Sequence, residues 1–134
     1  MPAKKKTITE ATVAVSQKQI IGAPKGVRLT LDDTSGKRAL LLETPGGHQV
    51  ALNDSARTIE ILDNNGNHLR LTPSGITILA AGKVTINAAE VKVSAGLITV
   101  DAGTTRFNGL VQCESLITNS VVSASYSPGA GNIW

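Results

Sequence analysis

The chain has 134 residues, of which 41% are hydrophobic but only 2% aromatic, and its formal net charge is +3. No stretch approaches the roughly 20 apolar residues of a membrane-spanning helix, and the single cysteine excludes a disulfide framework within the chain. A core of Val, Ile, Leu and Ala with so few aromatic side chains is thin, which favours a repetitive, fibrous module over a compact domain.

Residues 1–26 predict an irregular N-terminal leader. Residues 1–38 hold eight basic and three acidic side chains. The lysines at positions 4–6 have no aromatic residues between them, so a solvated chain start is favoured over a nucleic-acid contact, and no nucleic-acid partner is expected. No apolar run and cleavage site follow these lysines, so no signal peptide is expected.

Residues 27–75 predict a meander of antiparallel strands. Short alternating runs (VRLTL, RALLLE, HQVALN, RTIEIL, HLRLT) are separated by clusters of Asp, Asn, Gly and Pro. Such clusters between β-branched or leucine-rich runs are typical of β-turns. Asn65-Gly66 is a strong hairpin signal, because this dipeptide favours the tight turn that joins two antiparallel strands.

Residues 76–122 predict a β-helix with a seven-residue repeat, in strict register from Val84 to Gly109. Apolar residues alternate with polar ones, as in a strand with one buried face. Seven is odd, so a straight strand would reverse its apolar face in every second unit. The chain must therefore bend once per unit, near Ala89-Glu90, Gly96-Leu97 and Gly103-Thr104. The units are rich in Val, Thr, Asn and Gly, which disfavours a coiled coil, and from Leu110 the strict repeat is lost.

Three chains close this repeat better than one. A seven-residue leg reaches at most about 23 Å, so a triangular coil of one chain would use about three legs, and the clean repeat would supply little more than one coil. We therefore predict an all-β fold, a short antiparallel β meander leading into an intertwined triple-stranded β-helix of a homotrimer. A monomeric β-solenoid is the alternative. The predicted trimer core is Val84, Ile86, Val91, Val93, Ile98, Val100 and Phe107.

The segments TSGKRALLLETPGGHQVALND and TIEILDNNGNHLRLTPSGITILAAGKVTINA carry a family resemblance. Their order of turns and alternating strands resembles the C-terminal part of the central spike of contractile injection systems, the phage baseplate assembly protein V and VgrG-like family. The ending SYSPGAGNIW is similar to that of some phage spikes. The resemblance implies a trimeric, triple-stranded β-helical needle. It also implies a baseplate hub protein at the N-terminal end and a membrane, or a PAAR-like tip protein, at the other.

Residues 123–134 form the predicted tip segment. In a trimer, three copies of this segment would gather at one end of the needle and expose an apolar platform, which usually marks a contact site. The hypothesis is that the platform docks the tip protein, and the alternative is that the tails fold back and plug the open end. The residues of the platform are Tyr126, Pro128, Ala130, Ile133 and Trp134.

No catalytic site is predicted. Asp32 and Asp33 are adjacent, and adjacent residues of a strand point to opposite faces and cannot share a substrate. They lie at a predicted turn, where Asp is expected to bond the backbone. His48, His68 and Cys113 have no local signature of a nucleophile and base. A turn histidine on the surface is favoured over a threefold His site on the axis, and no metal and no cofactor are expected.

The predicted function is therefore mechanical. As the spike of a phage-like contractile tail, the protein would pierce the target envelope and contact the membrane transiently. It would be made in the bacterial cytoplasm and reside in the baseplate of a virion or phage-like particle. The alternative is a trimeric tail-fibre or adhesin segment that binds a cell surface.

Overall fold

A computed structural model describes residues 18–127 and 129 of the chain. The regular elements of these residues are all β-strands, which confirms the all-β class and the antiparallel meander. The chain divides after Ala89 into two units, which are described separately below. The described residues of the first unit, 18–89, contain seven strands: β1 Lys18–Gly22, β2 Arg28–Asp32, β3 Ala39–Glu43, β4 Gln49–Asn53, β5 Thr58–Leu62, β6 His68–Thr72 and β7 Gly75–Leu79.

The strands form one sheet in sequence order, and each pairs antiparallel with the next. Successive loops therefore alternate between the two ends of the strands. Residues 23–27, 44–48 and 63–67 lie at one end, and residues 33–38, 54–57 and 73–74 lie at the other.

Two strands extend the meander beyond its predicted limits of 27 and 75. The prediction of an irregular leader is wrong for β1, which places Ile21 opposite Leu29 and Gln19 opposite Leu31. Its own alternation is too short to indicate a strand, so pairing with β2 decides its conformation. Strand β7 shares the alternation of the following repeat, yet the Pro73-Ser74 turn returns it antiparallel onto β6.

One face of the sheet is apolar because the register aligns the alternating residues of neighbouring strands. Cross-strand partners join into two rows that cross the sheet. The first row is Ile21, Leu29, Leu42, Val50, Ile61, Leu69 and Ile78. The second row is Leu31, Leu40, Leu52, Ile59, Leu71 and Ile76.

The opposite face carries cross-strand ion pairs. Arg28 Nη2 lies 3.1 Å from Glu43 Oε2, and the two residues are directly opposite each other on β2 and β3. Glu60 lies opposite Arg70, with Oε1 3.0 Å from Arg70 Nε. Opposite charges at such positions each stabilise the pairing of two strands by about 0.2–1 kcal/mol. The two faces therefore differ sharply in polarity.

The β5–β6 loop confirms the hairpin predicted at Asn65-Gly66. Asp63 accepts the backbone N–H groups of Asn65 and Asn67, each at 2.9 Å, and Asn67 Nδ2 donates to it at 2.7 Å. These donors hold the pKa of the Asp63 carboxyl well below its usual range. Gly66 has φ +89°, a left-handed conformation that glycine adopts without a steric penalty.

After β7 the chain continues as bent, extended backbone. Every described residue from Ala81 to Ser127 is exposed. The chain bends at Gly82, Ala89, Gly96 and Gly103, seven residues apart, which confirms the predicted bend in each unit of the repeat. Further bends follow at Gly109, Glu114, Asn119 and Ala124, now five residues apart. The loss of the seven-residue register at Leu110 is thus a change of period.

Candidate subunit interface

The apolar face of the sheet is not covered by any described part of the chain. Ile59 and Ile61 on the interior strand β5 are 41% and 46% exposed, and Ile76 and Ile78 on the edge strand β7 are 69% and 67% exposed. No described residue is fully buried. A continuous apolar face of this kind normally packs against a second layer, so in this chain it is a candidate contact surface.

Two hollows lie on this face, one near each end of the strands. The first is lined by Leu42, Val50, Ile61, Leu69 and Ile78 from the first apolar row, together with Val84. The second is lined by Leu31, Leu40, Leu52 and Ile59 from the second row. Charged residues from the 33–38 and 54–57 loops border the second hollow. Apolar walls with a charged rim are typical of a surface that a protein partner covers.

The β5–β6 loop positions the start of the repeat within the first unit. Ala81 N donates to Asn67 Oδ1 at 3.0 Å. A Cβ atom on Gly66 would lie 3.4 Å from the Ala81 Cβ, so the loop and residue 81 are in contact. Val84 thereby lines the first hollow beside Ile78. The sheet and the first predicted core residue of the repeat contribute to the same apolar surface.

The predicted core residues of the repeat all have exposed side chains in the single chain. Val84 and Ile86, in the first unit, are 57% and 72% exposed. In the second unit the exposed fractions are 59% for Val91, 65% for Val93, 57% for Ile98, 67% for Val100 and 68% for Phe107. Among the described residues beyond Leu79, no backbone N–H donates to a backbone carbonyl. Both the apolar side chains and the backbone of this segment are thus available to partners.

The other predicted contact residues lie at the C-terminal end. Tyr126 is 69% exposed. Pro128, Ala130, Ile133 and Trp134 lie outside the described residues. The hypothesis that these residues dock a tip protein therefore stays a prediction.

The candidate polar groups of the sequence are dispersed. His48 lies in the β3–β4 loop, whereas His68 begins β6 with Nε2 3.4 Å from Glu60 Oε2. Asp32 accepts the backbone N–H of Thr34 at 3.0 Å. Hydrogen bonding by the Thr34 side chain and then by its backbone N–H lowers the pKa of the Asp32 carboxyl. Within the described part of the chain, His, Cys, Asp and Glu side chains form no group of three that could hold a metal ion.

No helix within residues 18–127 and 129 has the length and apolar character to cross a membrane.

The apolar face of the meander is a candidate contact surface that lies outside the predicted contact residues. Its signal was present, since β2 and β6 alternate strictly and β3, β4 and β5 carry a large apolar residue at every second position. The predicted core was confined to residues 84–107. The register shows that the two rows of the sheet add an apolar surface to it.

The sheet and the repeat together match a known protein family. No curated protein matches the chain. The model of the phage baseplate V C-terminal trimerisation domain matches residues 39–106, which are half of the chain and run from β3 into the seven-residue repeat. The chain therefore belongs to the family of phage baseplate V C-terminal trimerisation domains.

Proposed function

We propose that three copies of this chain form the central spike of a phage-like contractile tail. In this proposal the repeat segments of three chains wrap around one axis as a triple-stranded β-helix. Each chain supplies one seven-residue leg per layer, and the legs donate and accept backbone hydrogen bonds between chains.

The observation that carries the proposal is the exposed, regularly bent segment after β7. Its bends recur every seven residues from Gly82 to Gly103, and its Val and Ile side chains are more than half exposed. An extended segment with unpaired backbone and apolar side chains gains stability only when other strands pair with it. The family is one of trimerisation domains, so further copies of the same chain are the natural partners.

The apolar rows of the sheet support the same assembly. Leu42, Leu52, Ile59 and Ile61 are between 38% and 46% exposed in one chain. Burying apolar surface stabilises an association by about 25 cal/mol per Å² before the costs of association are subtracted. The sheet face then adds a hydrophobic contact to the backbone pairing of the repeat.

The role proposed for the trimer is mechanical, without catalysis or a bound cofactor. A rod whose strands are bonded to one another along its length transmits axial force and leaves few free edges. Lys92, Asp101 and Arg106 supply polar side chains on the exposed repeat. The N-terminal side would attach to a baseplate hub, and the C-terminal side would carry a PAAR-like tip protein and contact the target membrane transiently.

A monomeric solenoid is disfavoured by the same segment. In a solenoid, successive coils of one chain pair with each other through backbone hydrogen bonds. The described residues from 80 to 127 form no such backbone pairs.

The mass of the particle in solution tests the proposal. Light scattering on a size-exclusion column should give three times the chain mass of 13.9 kDa, with early elution and resistance to strong detergent. A compact monomer would refute the spike. A trimer that dissociates in mild detergent would refute the intertwined β-helix.

The tip contact needs its own experiment. A chain shortened before Pro128 should still form trimers but should no longer co-purify with a PAAR-like tip protein. The matched control replaces Lys83 by alanine, far from the C-terminal segment in sequence, and should retain the tip protein. Loss of the trimer on shortening would show that the tail plugs the helix end instead.

A further inference from the structure

We propose that residues 109–127 form a second, narrower section of the intertwined shaft, built from five-residue legs and closed by the two other copies of the chain. This inference rests on the proposed trimer but concerns a segment that the family match, ending at Arg106, does not include. The partner is therefore a second and third copy of the same segment.

The bends of residues 109–127 coincide with a five-residue pattern in the sequence. The chain bends at Gly109, Glu114, Asn119 and Ala124. Written from these positions the sequence reads GLVQC, ESLIT, NSVVS and ASYSP. The third position of every unit is a large apolar or aromatic residue, and the fifth is small in the first three units. The same arrangement, large residues followed by a small one before the bend, occurs in the seven-residue units, where Ala95 and Ala102 take the small position.

The residues at the third position of each five-residue unit form a column whose side chains are exposed in the single chain. Val111, Leu116, Val121 and Tyr126 are 57%, 72%, 63% and 69% exposed. These fractions span the same range as those of the predicted core residues Val84 to Phe107, which run from 57% to 72%. In contrast, Ile117 and Val122, one position later, are each 99% exposed. Successive residues of an extended chain point to opposite sides, so the two columns lie on different sides of each leg.

Five-residue legs are shorter than seven-residue legs and therefore close a narrower layer. Five residues reach at most about 17 Å, compared with about 23 Å for seven. A threefold layer with legs shortened in this ratio has about half the cross-section. The small side chains at the fifth position, Cys113, Thr118 and Ser123, suit the closer approach of three backbones at such an axis. The same axial force would then act on about half the area, as a piercing point requires.

Cys113 supplies a probe for this geometry without any substitution. Alternation places Cys113 on the same side of its leg as Val111, and the thiol is exposed in the single chain. In the proposed section, three copies of this thiol face one narrow axis. Gln112 lies on the opposite side, so the double substitution Cys113→Ser with Gln112→Cys gives a matched control with one cysteine per chain.

The experiment oxidises the full-length trimer, at high dilution, with copper phenanthroline, which removes the two thiol hydrogens as a disulfide forms, and measures disulfide-linked chain pairs on a non-reducing denaturing gel. We expect Cys113 to cross-link at least tenfold faster than the cysteine at position 112. Equal rates, or no cross-linking of Cys113 in a particle of trimer mass, would overturn the inference and leave the proposed spike intact. A monomeric particle would instead refute the spike itself.

A pair of neighbouring substitutions provides the second measurement. Val121→Asp places a charge in the third-position column and should lower the Cys113 cross-linking rate at least tenfold while the trimer persists through residues 84–107. Val122→Asp places the same charge on the other side of the leg and should leave the rate within twofold. Equal effects of the two substitutions would overturn the assignment of the columns.

Discussion

Val100 offers the sharpest test of the repeat as a subunit interface. Its side chain is 67% exposed in the single chain and occupies the third position of its seven-residue unit. The substitution Val100→Ala removes two methyl groups, which at about 0.8 kcal/mol per buried carbon is about 1.6 kcal/mol per chain. Because each trimer contains three copies, the free energy of dissociation should fall by about 5 kcal/mol. The dissociation constant should therefore rise by more than about a thousandfold.

The matched control is Thr99→Ala, which changes the neighbouring side chain in the polar column. A surface substitution of this kind should alter the free energy of dissociation by less than about 0.5 kcal/mol per chain. Sedimentation equilibrium over a range of protein concentrations measures both constants. Equal losses for the two variants, or a Val100→Ala trimer as stable as the native one, would refute the placement of the Val100 column at the axis.

Three further predictions concern the sheet and its loops. Arg57 has φ +57° in the β4–β5 loop, so Arg57→Gly should stabilise the fold by about 1 kcal/mol in chemical denaturation, and a loss of stability would contradict the left-handed turn. Gly66→Ala should destabilise it by about 1–2 kcal/mol, because φ is +89° and the added Cβ would lie 3.4 Å from the Cβ of Ala81; Gly82→Ala, with open space around its Cβ, is the control. The lowered folded-state pKa of Asp63 means that its ionised form stabilises the fold above the ordinary carboxyl pKa and that this stability is lost as the pH falls toward the folded-state value. Asp63→Asn should therefore lower the melting temperature at pH 7, by an amount that shrinks below about pH 4, and a constant difference would show that the carboxylate charge is not the cause.

The local elements of this protein follow from short-range patterns. The Asn65-Gly66 hairpin follows from turn chemistry that involves only a few adjacent residues, and the structure places it between β5 and β6. The bends at Ala89, Gly96 and Gly103 follow from the odd length of the repeat, because side-chain alternation has a period of two. Family membership could also be expected, since the order of turns and strands within residues 39–106 carries the match.

The extent of the sheet was decided by pairing between strands. Strand β1 has too short an alternation to be distinguished from a loop, and it is a strand because β2 offers a full register of partners. Strand β7 has the alternation of the repeat but lies antiparallel to β6, because the two-residue turn at Pro73-Ser74 reverses the chain. Such contacts are non-local, and propensity within a few residues does not determine them.

The all-β class, the turn positions and the seven-residue bends follow from the amino-acid sequence alone, because each depends on alternation and turn chemistry within a single unit. The folded chain adds two facts: apolar side chains in both rows of the sheet stay partly exposed, and the spacing of the bends shortens to five residues after Gly109. Both facts depend on where side chains lie relative to distant strands and to the bends. The sequence lists these side chains one after another, whereas the register and bends of the folded chain bring them into common columns.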